Sequence, residues 1–326
     1  MRALVQSDYG DPVDVMTTRD VAGPAVGAGE VMVRVHTAAV NAGDLSLVTG
    51  TPYLFRPMMG LPGPAHPIPG LAVAGVVADH GVGVTRLQVG DRVVAEVPHG
   101  GFAEAVAVAA VATARIPPPL SFDEAAALPV SGVTAVQALR DVAAVQPGQR
   151  VLVNGASGGV GTFAVQVAKA LGAEVTAVCS GRNVDLVLSI GADAAVDYER
   201  DDFTRPTRPY DVILDNVGNR PLAELRRALS PSGTLIPNSN TGGTPWLGGY
   251  LPRAMQALVV SPFVGQRLRP FSATGDPSDL RVLADLLEAG TVAPVVDRVF
   301  PLDQGARALD YFSGGHARGK VLIRCA

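Results

Sequence analysis

The chain has 326 residues, of which 48% are hydrophobic, 17% charged and 5% aromatic. At about 150 residues per domain this is a two-domain length, with enough apolar sequence to build cores that need no staples. A formal net charge of −4 provides no basic field for nucleic acid or an anionic membrane, and two cysteines, Cys179 and Cys325, exclude a four-cysteine zinc site and a multiply bridged secreted scaffold.

The N-terminal stretch carries acids where a signal peptide needs a basic region and an apolar core. The longest aliphatic run, Ala105 to Ala112, is too short to span a bilayer. These features predict a cytoplasmic protein. Up to about residue 120 the chain reads as short alternating strands, among them Glu30 to His36, Gly75 to Ala78 and Gly90 to Val97, which predicts a β-rich, barrel-like domain. Between them, Thr49 to Gly70 has neither helical nor strand period and reads as a long functional loop.

The texture changes at Pro117 to Pro119. Ser121 with Glu124 three residues on forms a capping box for a helix. Strands and helices then alternate. The pattern predicts a strand from Arg150 to Asn154, a helix from Val160 to Leu171, a strand from Glu174 to Val178 and a helix from Val184 to Ile190. Strands at Ala195 to Asp197 and Asp211 to Asp215, a helix from Leu222 to Leu229 and a strand at Gly233 to Ile236 complete it. That order predicts a parallel, doubly wound sheet. The final segment holds a helix from Asp279 to Glu288, capped by Ser278, and a last strand, Lys320 to Arg324, that rejoins the N-terminal domain. The resulting division is 1–121 with 263–326 for the barrel domain and 122–262 for the doubly wound one.

The most informative segment is Val151-Leu-Val-Asn-Gly-Ala-Ser-Gly-Gly-Val-Gly161. Between a strand and a helix, Ala156, Gly158 and Gly161 occupy the three positions of a dinucleotide-binding turn, with alanine in the first. Gly158 lets backbone N–H groups approach a pyrophosphate at the helix N-terminus, where the dipole favours anions. The same residues also fit a nucleophile elbow, Gly155-Ala-Ser157-Gly-Gly159, which would make Ser157 the nucleophile of a serine hydrolase served by Asp297 and His316. After the second strand, Cys179-Ser-Gly-Arg-Asn183 has no acid for a ribose 2′-hydroxyl. Arg182 is available for a 2′-phosphate, which favours NADPH over NADH.

The chain resembles the medium-chain dehydrogenase/reductase superfamily and, within it, the zinc-independent quinone oxidoreductase-like (zeta-crystallin-like) branch. The resemblance runs through Val40-Asn-Ala-Gly-Asp44, Pro69 to Val77, Val89 to Val93, Gly100 to Glu104, Ser131-Gly-Val-Thr-Ala135, the glycine turn, Gly191-Ala-Asp193, Asp215-Asn-Val-Gly218 and Gly319-Lys320. It implies an α/β fold with a GroES-like β-rich barrel domain and an inserted Rossmann domain, and an NADPH-dependent oxidoreductase whose active site lies in the interdomain cleft. It also implies hydride transfer to a quinone or an enone or enoyl acceptor. In the zinc-dependent branch a cysteine would stand at Asn41 and Gly-His-Glu at Gly70-Leu71-Ala72, so no metal is expected. The branch usually keeps an acid where Ala72 stands.

From the matched motifs, Tyr53 is the expected proton donor. Asn41 is expected both near the nicotinamide and as a hydrogen-bond donor to the substrate oxygen. The expected cofactor-binding set is Asn41, Thr134, Ala156, Ser157, Gly158, Gly159, Val160, Gly161, Ser180, Arg182, Asn183, Tyr198, Asn216, Val217 and Lys320, with a surface lysine as the alternative reading of Lys320. Tyr53, Met58, Met59 and Trp246 are the expected substrate-pocket walls. The partners expected are a small-molecule substrate and a second copy in a homodimer, through the region from Gly242 to Phe263. A nicotinamide-binding protein with little redox turnover is the alternative of a different class.

Overall fold

The computed structural model describes residues 1–118, 120–239 and 242–326; Pro119, the last of the predicted proline run, and Asn240 and Thr241 lie outside the described residues. The chain divides into two compact units. One comprises Met1–Val133, Gly275–Glu288 and Pro294–Ala326, the other Thr134–Thr274 and Ala289–Ala293.

The first unit is the β-rich one. Its strands are β1 (Arg2–Gln6), β2 (Met16–Asp20), β3 (Glu30–Ala39), β4 (Ala72–His80), β5 (Arg92–Glu96), β6 (Ala105–Ala109) and β7 (Thr113–Arg115). Alternation drives it: on β3, Val31, Val33 and Val35 are fully buried while Met32, Arg34 and His36 between them are not. The buried set meets Leu4, Val73, Val93, Phe102 and Ile323 in one core. The chain's last strand closes this sheet beside β3, antiparallel, with Leu322 opposite Ala39. The last strand therefore rejoins the N-terminal unit, as predicted, in the sheet of β3 to β7, while β1 and β2 pair in a sheet of their own.

This unit extends past the expected boundary at 121. The helix Phe122–Ala126 packs on β3 and β4, its Asp123 accepting hydrogen bonds from Thr37 (2.6 Å) and Arg324 (2.6 Å), and its Phe122 ring stacking on His36. Its capping box is formed, Ser121 Oγ accepting from Glu124 N–H and Glu124 accepting from Ser121 N–H. Two local expectations are corrected. The stretch after Thr49 is not a plain loop: it contains a 3-10 turn, Tyr53–Phe55, and a helical turn, Arg56–Met59. The late helix begins at Pro277, and Asp276, not Ser278, caps it by accepting the Ser278 N–H at 2.8 Å.

The second unit is a six-stranded sheet of β8 (Arg150–Asn154), β9 (Glu174–Cys179), β10 (Ala194–Asp197), β11 (Tyr210–Asp215), β12 (Leu229–Pro237) and β13 (Arg267–Leu268), all parallel and ordered β10-β9-β8-β11-β12-β13. Near-continuous burial marks its central strands, as two covered faces require. Strand order reverses between β8 and β11. In such sheets the crevice beyond the carboxyl ends at that reversal is where ligands bind. The last two strands of the chain, β14 (Val296–Pro301) and β15 (Lys320–Arg324), belong to the first unit.

Candidate active site

In the second unit the chain leaves β8 through Gly155, at φ +77°, and enters the helix Gly159–Ala170 with Gly158 as N-cap. Gly155 and Gly161 are glycines for packing. A Cβ on Gly161 would lie 2.0 Å from the Gly155 carbonyl oxygen, and one on Gly155 would lie 2.6 Å from Val217. Gly158 is different: its φ is −84°, and the nearest atom to its Cβ position is the Gly155 oxygen at 3.5 Å. The protein itself would tolerate a side chain at 158, so the open space there suits a ligand that approaches the backbone. No side chain caps this helix, which leaves its first N–H groups for an anion. The cradle therefore fits the pyrophosphate of a dinucleotide.

Around the turn, Asn183 is buried and donates from Nδ2 to Ser157 Oγ (3.0 Å) and Ser180 Oγ (3.2 Å). It ties the turn to the end of β9. Arg182 beside it is exposed, as is Tyr198, which follows β10. The structure also corrects the expectation that no acid stands here. Asp197 ends β10 directly opposite Cys179 of β9, and its Oδ2 is 2.6 Å from the Cβ position of Gly181. Arg200 partly offsets that charge at 3.6 Å.

At the strand reversal, Asn154 ends β8 opposite Asp215 of β11 and donates to it at 2.8 Å. Asp215 is fully buried and accepts from Gly218 N–H (2.9 Å) and from Arg253 Nη1 (3.0 Å), while Arg253 also donates to the carbonyls of Gly218 and Arg220 (2.9 Å). Asn154, Asp215 and Arg253 thus fix the turn that carries Asn216 and Val217. Asn216 accepts from Asn238 (2.8 Å), and its own Nδ2 is buried without a partner among the described residues. Sequence reading named Asn216 and Val217 and missed the three residues that hold them.

In the first unit, Asn41 caps the helix Ala42–Thr49 and is surrounded by ionisable groups. Lys320, on β15, is 3% exposed and donates to Asn41 Oδ1 (2.5 Å), Val40 O (3.0 Å) and Ser131 Oγ (3.1 Å). The surface-lysine reading is therefore corrected. Asn41 spends its amide hydrogens on Ala39 O (2.9 Å) and Asp44 Oδ2 (3.2 Å), and Asp44 Oδ2 also accepts the Asn41 N–H (2.8 Å). With both Nδ2 hydrogens committed, Asn41 has none to give a substrate oxygen, which corrects that expectation. Asp44 is fully buried.

Burial pushes the Asp44 carboxyl up to about 7, against the hydrogen bonds from Asn41 and the charge of Lys320. Burial brings the Lys320 ammonium down to about 8, opposed by Asp44. Two buried ionisable groups, an acid and a base, thus share Asn41. Asp44 and Ser131 were visible only as members of matched motifs; nothing in their spacing marked them as partners of Lys320.

The remaining predicted residues stand as follows. Tyr53 lies half-buried in its 3-10 turn, with the Arg56 guanidinium 4.3 Å from its ring centre. Thr134 is buried at the start of the second unit. Met58 is 84% exposed and Trp246 68%, so within its own unit neither is enclosed as a pocket wall would be. Ser157 is paired with Asn183, which is no base, and Asp297 Oδ2 is taken by Tyr311 OH (2.8 Å) and Arg318 N–H (3.1 Å). The serine-nucleophile reading is corrected by these partners.

A nucleotide cradle on a doubly wound sheet and a β-rich unit built from both chain ends define a nicotinamide-dependent oxidoreductase of two domains. Residues 27–118 match the alcohol dehydrogenase GroES-like domain, and residues 190–323 match the family described as zinc-binding dehydrogenase. The chain is 34% identical over 336 residues to the chloroplastic quinone-oxidoreductase homolog of Spinacia oleracea, covering 99% of this chain and 98% of that protein. It is 32% identical over 337 residues to 2-methylene-furan-3-one reductase of Solanum lycopersicum, covering 99% and 79%. A mycobacterial protein solved in complex with NADPH has a TM-score of 0.84 at 25% identity, over 99% of this chain and 100% of the other. The chain belongs to the medium-chain dehydrogenase/reductase superfamily, in its quinone oxidoreductase-like branch.

The donor set at the family's metal position does not fit zinc. Asn41 has its oxygen on Lys320, Leu71 and Ala72 carry no donor atoms, and no group of three or more His, Cys, Asp or Glu among the described residues is placed to hold a metal ion. Nor is any helix among the described residues long and apolar enough to cross a membrane.

Proposed function

We propose that this chain is an NADPH-dependent, zinc-independent reductase that delivers hydride to a quinone or an α,β-unsaturated carbonyl compound. The observation that carries the reading is the state of Asn41: where a zinc-dependent relative would place a thiolate, this side chain is saturated by Lys320, Asp44 and Ala39. A simple ketone needs a Lewis acid to polarise it, whereas a conjugated acceptor is already electron-poor. The name of the tomato relative describes a ketone conjugated to an exocyclic methylene, and that of the spinach relative a quinone oxidoreductase.

Bound NADPH supplies the hydride, and the chain's own residues bind, orient and protonate. The helix N-terminus after Gly158 holds the pyrophosphate. Arg182 meets the 2′-phosphate, and Asp197, offset by Arg200, keeps that preference modest. Tyr53 gives a proton to the reduced acceptor. The exposed Met255, Leu258 and Val259 of the helix Tyr250–Val260, with Phe263 beyond it, form the face that a second copy covers in a homodimer.

The test is steady-state oxidation of NADPH and NADH against a panel of quinones, enones and simple ketones, with no added metal. Turnover confined to the conjugated acceptors, and faster with NADPH, is the expected result. Tight NADPH binding with no acceptor turned over would instead make this a nicotinamide-binding protein without redox work.

A further inference from the structure

We infer that Arg56 is an anion clamp and that the acceptor reduced by this chain carries a carboxylate, an inference that rests on the reading of the chain as a reductase of conjugated carbonyls. The guanidinium of Arg56 is sandwiched between two tyrosine rings, 4.8 Å from the centre of Tyr9 and 4.3 Å from that of Tyr53. Its Nε donates to the Gly50 carbonyl at 2.9 Å, and Tyr9 is itself anchored through its hydroxyl to the Gly60 carbonyl at 3.0 Å. The packing leaves no slack: a Cβ on Gly50 would lie 2.6 Å from the Tyr9 ring and 3.0 Å from Arg56 Nε. The plane of the guanidinium is thereby set before any ligand arrives.

What this arginine does not do separates it from three of its half-buried counterparts. Arg92, Arg150 and Arg253 each spend terminal nitrogens on backbone carbonyls, whereas Arg226 is held, like Arg56, through Nε alone, but by a side chain and without an aromatic sandwich. Arg92 serves Pro118 and Leu120, Arg150 serves Arg208 and Pro209, and Arg253 serves Gly218 and Arg220. Those arginines staple loops. Arg56 is held only through Nε and its two ring contacts, and among the described residues neither Nη group donates a hydrogen bond or meets a carboxylate within 4.0 Å. Asp8, the acid next to Tyr9 in sequence, has its Oδ1 on the Tyr9 N–H at 2.7 Å.

A planar cationic fork with both prongs open is matched in shape and charge by a carboxylate. Because the same guanidinium lies on the ring of Tyr53, the carboxylate and the carbonyl that Tyr53 serves belong to one small molecule. The acceptor class is therefore an enone acid rather than a neutral enone or a bare quinone.

The test separates binding from turnover. Levulinate, a saturated keto acid, and its methyl ester are titrated calorimetrically into the NADPH-loaded full-length protein, for wild type, Arg56→Gln and Arg56→Lys. Turnover of trans-4-oxo-2-pentenoate and its methyl ester is measured alongside. Wild type is expected to bind levulinate about tenfold or more tighter than the ester, the range of a charge-assisted contact. Arg56→Gln should abolish that preference, and Arg56→Lys, which keeps the charge and loses the fork, should retain part of it. Equal or undetectable binding of acid and ester by wild type, or an undiminished preference in folded Arg56→Gln or Arg56→Lys protein, overturns the clamp. If the preference holds in binding while neither oxo-pentenoate is reduced, the clamp stands and the reductase reading falls.

Discussion

Three of the four glycines between positions 155 and 161 do two different jobs, and the distinction is testable. Gly161 faces backbone at 2.0 Å, so Gly161→Ala is expected to cost about 3 kcal/mol or more of folding stability, read from urea denaturation. Gly158 faces open space at ordinary φ. Gly158→Ala should stay within about 0.5 kcal/mol of wild type yet lose NADPH affinity by ~tenfold or more, read by fluorescence titration. A Gly158→Ala protein that binds NADPH normally would remove the pyrophosphate from that turn. Asp197 bears on the other end of the cofactor: Asp197→Asn should raise the preference for NADPH over NADH, measured as the ratio of kcat/KM values, by lifting a negative charge from beside Gly181.

The Asp44–Lys320 pair has a signature in pH. Burial raises Asp44 from an ordinary 3.8 to about 7, so its contribution to stability is full below about pH 4 and fades as pH rises through 7. Lys320, lowered from 10.5 to about 8, contributes fully above about pH 10.5 and loses its contribution as pH falls through 8. The melting temperature of wild type relative to Asp44→Asn is therefore expected to be most favourable near pH 4, to decline steadily towards pH 7 and to level off above it. A gap independent of pH would mean that the carboxyl does not titrate in this window.

At the scale of elements, local signals and packing divide the credit. The helix after Ser121 was legible because its capping box lies within four consecutive residues. The turns at Tyr53–Phe55 and Arg56–Met59 were not, since elements of three and four residues have no period to read. The two-residue β13 was missed for the same reason; only its pairing with β12 defines it as a strand. The cap at Asp276 was not legible because Ser278, an equally good capping type, stands two residues on, and only the hydrogen bond decides between them. The turn at Asp215–Arg220 depends on an element far along the chain, the helix that carries Arg253. Removing that cation strands a fully buried carboxylate, so Arg253→Met is expected to cost about 3 kcal/mol by chemical denaturation, against well under 1 kcal/mol for an exposed ion pair such as Arg205–Asp202.

For the whole molecule, the donor set predicts indifference to chelation. Exhaustive dialysis against EDTA should leave turnover unchanged, and added zinc should not raise it; metal-dependent activity would end the zinc-independent reading. NADPH at about 100 times its Kd should stabilise the folded protein by ~2.7 kcal/mol, seen as a rise in melting temperature. The two-unit organisation and the doubly wound sheet followed from the sequence, because period-two alternation, the 3.6-residue period and the glycine turn are each properties of a few adjacent residues. The chemistry around Asn41 did not. Lys320 reaches it across 279 positions of chain and Ser131 joins from a third segment, while Asp197 comes to Gly181 only because β10 pairs in register with β9. Steric rules of the backbone are local and can be read in order along the chain. Burial, shared protons and the charge beside a cofactor depend on which distant side chains the folded core brings within 3 Å, and the tertiary structure alone decides them.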